Sequence, residues 1–149
     1  PLTGRRDPYC KDLKHYRWQT HWTLKKLSQA LAHAGKDLGN LYACDVLDRN
    51  RSGRVRKIHL RGSLGETILT GREFRQLVGV NELKSLKFSV QIIEKVAYVN
   101  GFGWGHGVGF CQWGAYGMSR EGHTMDKILA FYFPSANRRN LKGLPGFVN

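Results

Sequence analysis

Every second residue between Gly101 and Gly109 is glycine, in the run Gly-Phe-Gly-Trp-Gly-His-Gly-Val-Gly. A strand built from this run would carry no side chains on one face, so the run is not expected to form a buried strand face. Glycines do allow backbone amides to approach a ligand closely and to adopt positive φ angles. Because a helix-compatible segment follows from Gln112 to Glu121, the pattern predicts a binding loop that leads into a helix.

The rest of the chain alternates between strand-like and helix-like patterns. Tyr16, Trp18 and Trp22 alternate with polar residues, which predicts a strand, and the apolar positions from Leu24 to Ala34 predict a helix. Further patterns predict short strands at 41–47, 55–60, 66–69, 86–93 and 96–99, and helices at 71–78, 112–121 and 124–133. The predicted fold class is therefore α+β, with short, mostly antiparallel strands, three or four helices, and a glycine-rich loop leading into a C-terminal helical pair.

The predicted organisation is one domain over residues 1–134, followed by a loosely packed polar tail at 135–149. No stretch approaches the roughly 18 consecutive apolar residues that a membrane-spanning helix needs. The sequence begins with proline rather than methionine, and we expect it to be a processed or truncated piece of a longer protein.

The 149 residues include 24 Lys and Arg against 11 Asp and Glu, which gives a formal net charge of +13. Such a charge predicts an anionic partner, although a solvated basic face is an equally ordinary explanation for any single cluster. The densest cluster surrounds a turn at residues 50–53 and contains Arg49, Arg51, Arg54, Arg56, Lys57 and Arg61. Zinc-finger spacing, a basic zipper and an RNP-like run are absent, so nucleic acid is not expected as a partner.

Three cysteines, Cys10, Cys44 and Cys111, are widely spaced and form no Cys-x-x-Cys pair. An odd number leaves at least one free thiol. The spacing does not show whether two of them form a disulfide, so the redox compartment stays open.

The glycine run does not match a phosphate-binding motif, since both the Gly-x-Gly-x-x-Gly spacing and the Walker spacing fail. Its polar groups are those of His106 and Gln112, and the flat rings of Trp104 and Trp113 lie beside them in the sequence. Aromatic faces combined with a few hydrogen-bonding groups suit a sugar ring and its hydroxyl and N-acetyl substituents. A sugar site is therefore the first hypothesis.

Two alternatives stay open at this point. His106 could be an ordinary loop histidine, with Trp104 and Trp113 in the core. Alternatively, Cys111 could be a thiol nucleophile at a helix N-terminus, with His106 as its base. The second ranks lower, because a small buried thiol is the commoner use of cysteine.

The stretch from Gly103 to Met118 reads Gly-Trp-Gly-His-Gly-Val-Gly-Phe-Cys-Gln-Trp-Gly-Ala-Tyr-Gly-Met and is followed by Ile-Leu-Ala-Phe-Tyr-Phe-Pro ending at Pro134. It closely resembles the C-terminal signature of the stage II sporulation protein D family, the SpoIID/LytB-type peptidoglycan lytic transglycosylases. Middle blocks of the family resemble segments 52–55, 71–79 and 83–88. By this resemblance, residues 1–134 are the C-terminal part of a SpoIID-like domain.

The resemblance implies binding of peptidoglycan glycan strands stripped of their stem peptides. It implies cleavage between N-acetylmuramic acid and N-acetylglucosamine, which leaves 1,6-anhydromuramic ends. Trp104, His106 and Gln112 are then expected to bind substrate, with Tyr16 and Ser85 as further candidates. A cell-wall amidase is an expected partner, and the expected location is outside the cytoplasm, in the periplasm, in the cell wall or anchored to the outer face of the membrane.

The chain departs from the family pattern in its glutamates. The family's catalytic glutamate lies in an earlier helical segment that has no counterpart here, and the five glutamates of this chain fall in blocks matching other parts of the family. We therefore expect the chain to supply the substrate-groove half of an enzyme whose acid lies elsewhere. The alternative is a non-catalytic cell-wall-binding or amidase-enhancing module.

Cysteine provides one further departure and bears on zinc binding. The position of Cys111 is usually serine in the family, which argues against a thiol nucleophile. Some members bind zinc through cysteine and histidine residues, and only Cys10 and His15 could contribute to such a site here. Two ligands do not close a tetrahedral zinc site, so we expect no metal or other cofactor in this chain, although zinc could belong to the full-length protein.

Overall fold

The computed structural model describes residues 6–10 and 16–136, and within them the chain forms six strands and four helices. In chain order these are β1 (Arg17–Thr23), α1 (Leu24–His33), β2 (Leu41–Arg49), β3 (Val55–Gly62), β4 (Gly65–Thr70), α2 (Gly71–Val78), β5 (Phe88–Ile93), β6 (Val96–Phe102), α3 (Gln112–Arg120) and α4 (Met125–Tyr132). All strand pairs are antiparallel. The predicted α+β class with its C-terminal helical pair is confirmed. None of the described helices has the length and apolarity required to cross a membrane.

Two compact units make up the chain. The larger unit is Cys10–Gly107, and the smaller unit combines Pro1–Tyr9 with Val108–Asn149. The single domain expected over residues 1–134 stays a prediction, and most of the tail expected at 135–149 lies outside the described residues.

The larger unit contains two three-stranded sheets, with the strand orders β1-β6-β5 and β2-β3-β4. Its hydrophobic core collects side chains from both sheets and from α1 and α2, including Trp22, Leu31, Ile58 and Phe74. In β1 and β6, residues that face the core alternate with more exposed residues, as expected for a sheet with one face on a core and one in water.

Threonine caps set the starts of both helices in the larger unit. The Thr23 side chain accepts a hydrogen bond from the Lys26 amide at the start of α1. Thr70 and Glu73 form a reciprocal capping box at the start of α2. The backbone and side-chain hydrogen bonds from Thr70 lower the pKa of Glu73, since they stabilise its carboxylate form.

Strand β6 continues two residues into the glycine run, beyond the end predicted at Val99. Gly101 pairs with Trp18 across β1 and β6 and is buried beneath the Trp18 indole, which a Cβ at Gly101 would overlap. The indole nitrogen also donates a hydrogen bond to the carbonyl oxygen of Gly103 at 2.8 Å. The expectation that the run forms no buried strand face is therefore wrong at Gly101, because a ring from the neighbouring strand fills the space that the missing side chain leaves.

The smaller unit is built from α3, α4 and the short segment 6–9. Gly114 and Gly117 on α3 lie against this segment, where a Cβ would overlap the Asp7 carboxylate and the Tyr9 backbone respectively. The Tyr132 hydroxyl donates to an Asp7 carboxylate oxygen at 2.7 Å, and the other oxygen accepts from the Tyr9 amide at 2.9 Å. The glycines of α3 thus serve close packing within this unit.

Replacing Gly101 by alanine should destabilise the larger unit by about 1–3 kcal/mol, because the new methyl group collides with a buried indole. Urea unfolding followed by circular dichroism would measure the change. In a Trp18→Leu background the same substitution should cost less than about 0.5 kcal/mol, since the smaller side chain leaves room for the methyl group. An equal cost in both backgrounds would show that the indole is not the source of the constraint.

Cys44 should resist alkylation in the folded protein. Its thiol is buried in the core, and burial raises its pKa from 9.0 to about 12, with the nearby Asp45 charge adding to the effect. Iodoacetamide at pH 8 followed by mass spectrometry should leave Cys44 unmodified until urea is added. The stability that this neutral thiol contributes should be intact below pH 9 and lost as the pH rises to about 12, because the unfolded chain ionises its thiol first. Rapid native labelling of Cys44 would contradict the buried placement.

Candidate functional site

After β6 ends, the glycine run forms a loop whose backbone is hydrogen-bonded to two other segments of the chain. The Gly103 amide donates to the Tyr16 carbonyl oxygen at 2.8 Å, and the Gly105 amide donates to the Lys84 carbonyl oxygen at 2.9 Å. Gly103, Gly105 and Gly107 all have positive φ, at 70°, 124° and 66°. These backbone angles account for glycine at alternate positions of the loop.

Trp104 lies on this loop with 51% of its surface exposed. The Lys84 ammonium nitrogen lies 5.4 Å from its ring centroid, within the range of a cation–π interaction. Trp113 on α3, in the smaller unit, is 49% exposed. Because both rings are about half exposed, the alternative that places both tryptophans in the core is wrong. The tryptophans of the core are Trp18 and Trp22.

A second ring with nearby cations precedes Trp104 by two residues. Phe102 is 40% exposed, and the Tyr16 ring meets it edge-on at a centroid distance of 5.9 Å. The Arg17 guanidinium carbon and the Lys87 ammonium nitrogen each lie 5.8 Å from the Phe102 centroid. We refer to these neighbouring groups as the aromatic–cation cluster: Tyr16, Phe102 and Trp104 with Arg17, Lys84 and Lys87.

Arg54 lies beside Gly107, near the end of the glycine run that is farther from β6. Its guanidinium packs against Gly107, where a Cβ would overlap it, and one terminal nitrogen donates to the Ser52 hydroxyl at 2.8 Å. The Arg54 Nε is buried and has no hydrogen-bond partner among the described residues, and partial burial lowers the pKa of Arg54. In the part of the chain that the structure describes, Arg54 forms no ion pair with a carboxylate. Its charge is therefore suited to an anionic ligand beside the run.

Other members of the basic cluster form local ion pairs. Arg61 contacts the Asp45 carboxylate at 2.9 Å, and Arg56 contacts Asp48 at 3.5 Å. In the sequence, Arg54 is one of six basic residues around the turn at 50–53, and nothing distinguishes it from the others. Its association with Gly107, 53 positions away, had no local signal in the sequence.

Ser85 is almost fully buried, and its hydroxyl donates to the Phe102 carbonyl oxygen at 2.6 Å. The Ser85 hydroxyl oxygen also accepts a hydrogen bond from the Lys87 amide at 3.2 Å. These bonds hold the backbone on which Phe102 stands. The substrate-binding role expected of Ser85 stays a prediction, and the geometry favours an indirect contribution through the cluster.

The remaining site candidates lie in different units. His106 is exposed on the glycine loop of the larger unit, whereas Gln112 is exposed at the start of α3 in the smaller unit. Beside Gln112, the exposed rings of Trp113 and Tyr116 meet edge-on with centroids 6.0 Å apart. Their roles in binding stay predictions.

Cys111 occupies the N-cap position of α3, where its sulfur accepts from the Gly114 amide at 3.4 Å. This capping contact is a structural use for the thiol. For the zinc hypothesis, Cys10 is half-buried and His15 lies outside the described residues. The expectation that this chain holds no metal therefore stays a prediction.

Four of the five glutamates have hydrogen-bond or ion-pair partners in the structure. Glu66 pairs with His59 at 3.1 Å, and Glu82 accepts from the Thr20 hydroxyl at 3.1 Å. A general acid needs a raised pKa, whereas hydrogen bonding lowers that of Glu73. Glu121 lies 3.8 Å from His123, and Glu94 lies in the exposed β5–β6 turn. That the acid lies outside this chain stays a prediction with which these contacts agree.

The chain matches one protein-family model and is similar to parts of longer proteins. Residues 3–109 match the family described as Domain of unknown function (DUF8618). An uncharacterized protein of Brachyspira hyodysenteriae is 29% identical over 78% of this chain and 30% of its own length. Stage II sporulation protein D of Bacillus subtilis is 38% identical over 44% of this chain and 18% of its own length. The amidase enhancer of the same organism is 34% identical over 42% and 9%. The chain spans less than a third of the length of each of these relatives.

Replacing Ser85 by alanine should cost about 1–3 kcal/mol in stability, because the Phe102 carbonyl and the Lys87 amide lose a buried partner. Urea unfolding would measure the loss. Ser89→Ala, at an exposed position on β5, is the matched control and should stay within about 0.5 kcal/mol of the parent. Equal stability of the two variants would show that the Ser85 hydrogen bonds contribute little.

Proposed function

The chain belongs to the family described as Domain of unknown function (DUF8618), and we propose that it binds peptidoglycan glycan strands as the substrate-groove half of a lytic transglycosylase. Its distant similarity to stage II sporulation protein D and to the amidase enhancer supports a role related to the cell wall. The observation that carries the proposal is the exposed aromatic–cation cluster beside the glycine run.

The cluster offers the two kinds of contact that an N-acetylated, acidic sugar chain needs. The exposed faces of Trp104 and Phe102 can stack on sugar rings, which have apolar faces of similar size. Lys84 of the cluster can pair with the lactyl carboxylates of muramic residues, which are exposed once stem peptides are removed, and so can Arg54, which packs against Gly107 outside the cluster. The net charge of +13 would attract such a strand over longer distances.

In the proposed reaction, this chain holds the strand while a carboxylic acid outside the chain carries out the proton transfers. The acid protonates the glycosidic oxygen as the bond to muramic C1 breaks. The resulting carboxylate then takes the proton of the muramic 6-hydroxyl, whose oxygen bonds to C1 and closes the 1,6-anhydro ring. This substrate implies a location outside the cytoplasm.

The similarity to the amidase enhancer favours a second candidate function. In that case the chain would be a non-catalytic cell-wall module that stimulates an amidase partner. The same aromatic–cation cluster would bind glycan, and no acid would be needed.

One comparison separates these functions. This chain and a longer form of the protein containing the preceding segment would each be incubated with stem-peptide-free glycan strands, and 1,6-anhydromuramic products would be sought by mass spectrometry. We expect products from the longer form alone. Products from this chain alone would show that one of its own glutamates is the acid. Strand binding without products from either form would favour the amidase-enhancing module.

Trp104→Ala should weaken binding of denuded glycan strands and of N-acetylglucosamine oligomers by about tenfold, since an exposed stacking surface is lost. His106→Ala should also weaken binding of the uncharged oligomers, whereas a binder that depends on charge alone would be unaffected. Isothermal titration calorimetry would measure both. Tyr42→Ala, which removes an exposed ring from β2, is the matched control and should bind normally. The proposed site would be wrong if Tyr42→Ala and Trp104→Ala lost affinity equally.

A further inference from the structure

The β1-β6-β5 sheet has a second face that points away from the core and is exposed along all three strands. Arg17 pairs with Phe102, and these two residues already belong to the aromatic–cation cluster. The next outward row across the sheet is Gln19, Asn100 and Ser89, and the row after it is His21, Tyr98 and Gln91. All eight residues are exposed.

The chemistry of this face differs from that of an ordinary solvated sheet. Tyr98 is 44% exposed, and the His21 ring lies 5.9 Å from it at an interplanar angle of 31°. The Gln19 amide nitrogen donates to the Asn100 side-chain oxygen at 2.7 Å, which orders both amides. The face therefore alternates rings with oriented amides, and none of its outward positions carries a carboxylate.

These features fit a sugar chain better than a protein surface or a nucleic acid. Amide groups match the hydroxyl and N-acetyl groups of an N-acetylated glycan, and the two rings offer stacking faces. A partner protein would call for a more continuous apolar surface, and a nucleic acid would call for more cations than the single Arg17 in these outward rows. The face is thus nearly neutral, although the chain as a whole is strongly basic.

The face is also continuous with the proposed site. Phe102 belongs to both, and Tyr98 lies four residues before it on the same side of β6. At a strand rise of about 3.3 Å per residue, the two rings stand about 13 Å apart along the strand. A strand that stacks on Phe102 can therefore continue along β6 toward Tyr98.

We propose that the outer face of the β1-β6-β5 sheet is an additional glycan-binding platform, which binds sugar residues beyond those at the glycine run. This inference rests on the proposed glycan-binding function and deepens it, because it makes the length of the glycan a determinant of affinity. Tyr98 and the Gln19–Asn100 pair are the residues that contact the additional sugars.

Calorimetric titration with short and long oligomers of N-acetylglucosamine tests the platform. Tyr98→Ala should weaken binding of the long oligomer by about tenfold and leave the short oligomer unaffected, because only the long one reaches the second ring. Tyr98→Phe keeps a ring and should restore most of the affinity. Trp104→Ala should weaken both oligomers, and Tyr42→Ala should weaken neither.

The outcomes distinguish the two proposals. If Trp104→Ala loses affinity while Tyr98→Ala binds the long oligomer as the parent does, the platform is wrong and the glycine-run site stands. If the parent protein binds neither oligomer nor denuded strands, glycan binding itself is wrong, and the platform falls with it. Circular dichroism of each variant confirms folding. The backbone amide NMR signals of Gln19 and Asn100 provide a second readout, and a shift of these signals on addition of the long oligomer would support the platform.

Discussion

The contact between the Trp18 indole and Gly101 joins the core of the larger unit to its candidate site. The ring occupies the space that a side chain at position 101 would need, and its nitrogen binds the Gly103 carbonyl. The strand can therefore end with Gly101 in the core, Phe102 in water and the loop turning away at Gly103. Ser85 and Tyr16 hold the same short stretch through hydrogen bonds to the backbone of Phe102 and Gly103. A rigid backbone under exposed rings suits a binding surface, since little ordering is required when a ligand arrives.

Charge is distributed unevenly over this basic chain. Two arginines of the β2–β3 hairpin, Arg56 and Arg61, form ion pairs with aspartates on the adjacent strand. Arg54, Lys84 and Lys87 instead lie beside glycine backbone or aromatic rings, where no carboxylate competes for them among the described residues. Cations are thus available to an anionic ligand near the glycine run, and the total charge alone does not reveal their position.

Most of the fold could be predicted from the sequence, because local signals set its elements. Thr23 and Thr70 cap helices whose bounds were predicted to within a residue or two, and alternating apolar residues marked the strands. The site was predictable only in part. Trp104 was identified, but its exposure depends on which tryptophans fill the core. The positions of Arg54 and of the segment 6–9 depend on contacts between residues far apart in the chain, for which periodicity carries no information.

The smaller unit combines two segments that are distant in the sequence and are therefore translated at different times. Its bond between Asp7 and Tyr132 spans 125 residues, and the glycines of α3 pack on the same early segment. In contrast, the residues that form the larger unit follow one another without interruption. The larger unit can therefore fold while the ribosome is still translating, whereas segment 6–9 must wait for α3 and α4 to emerge. Completion of the smaller unit is accordingly a late step in the maturation of this protein.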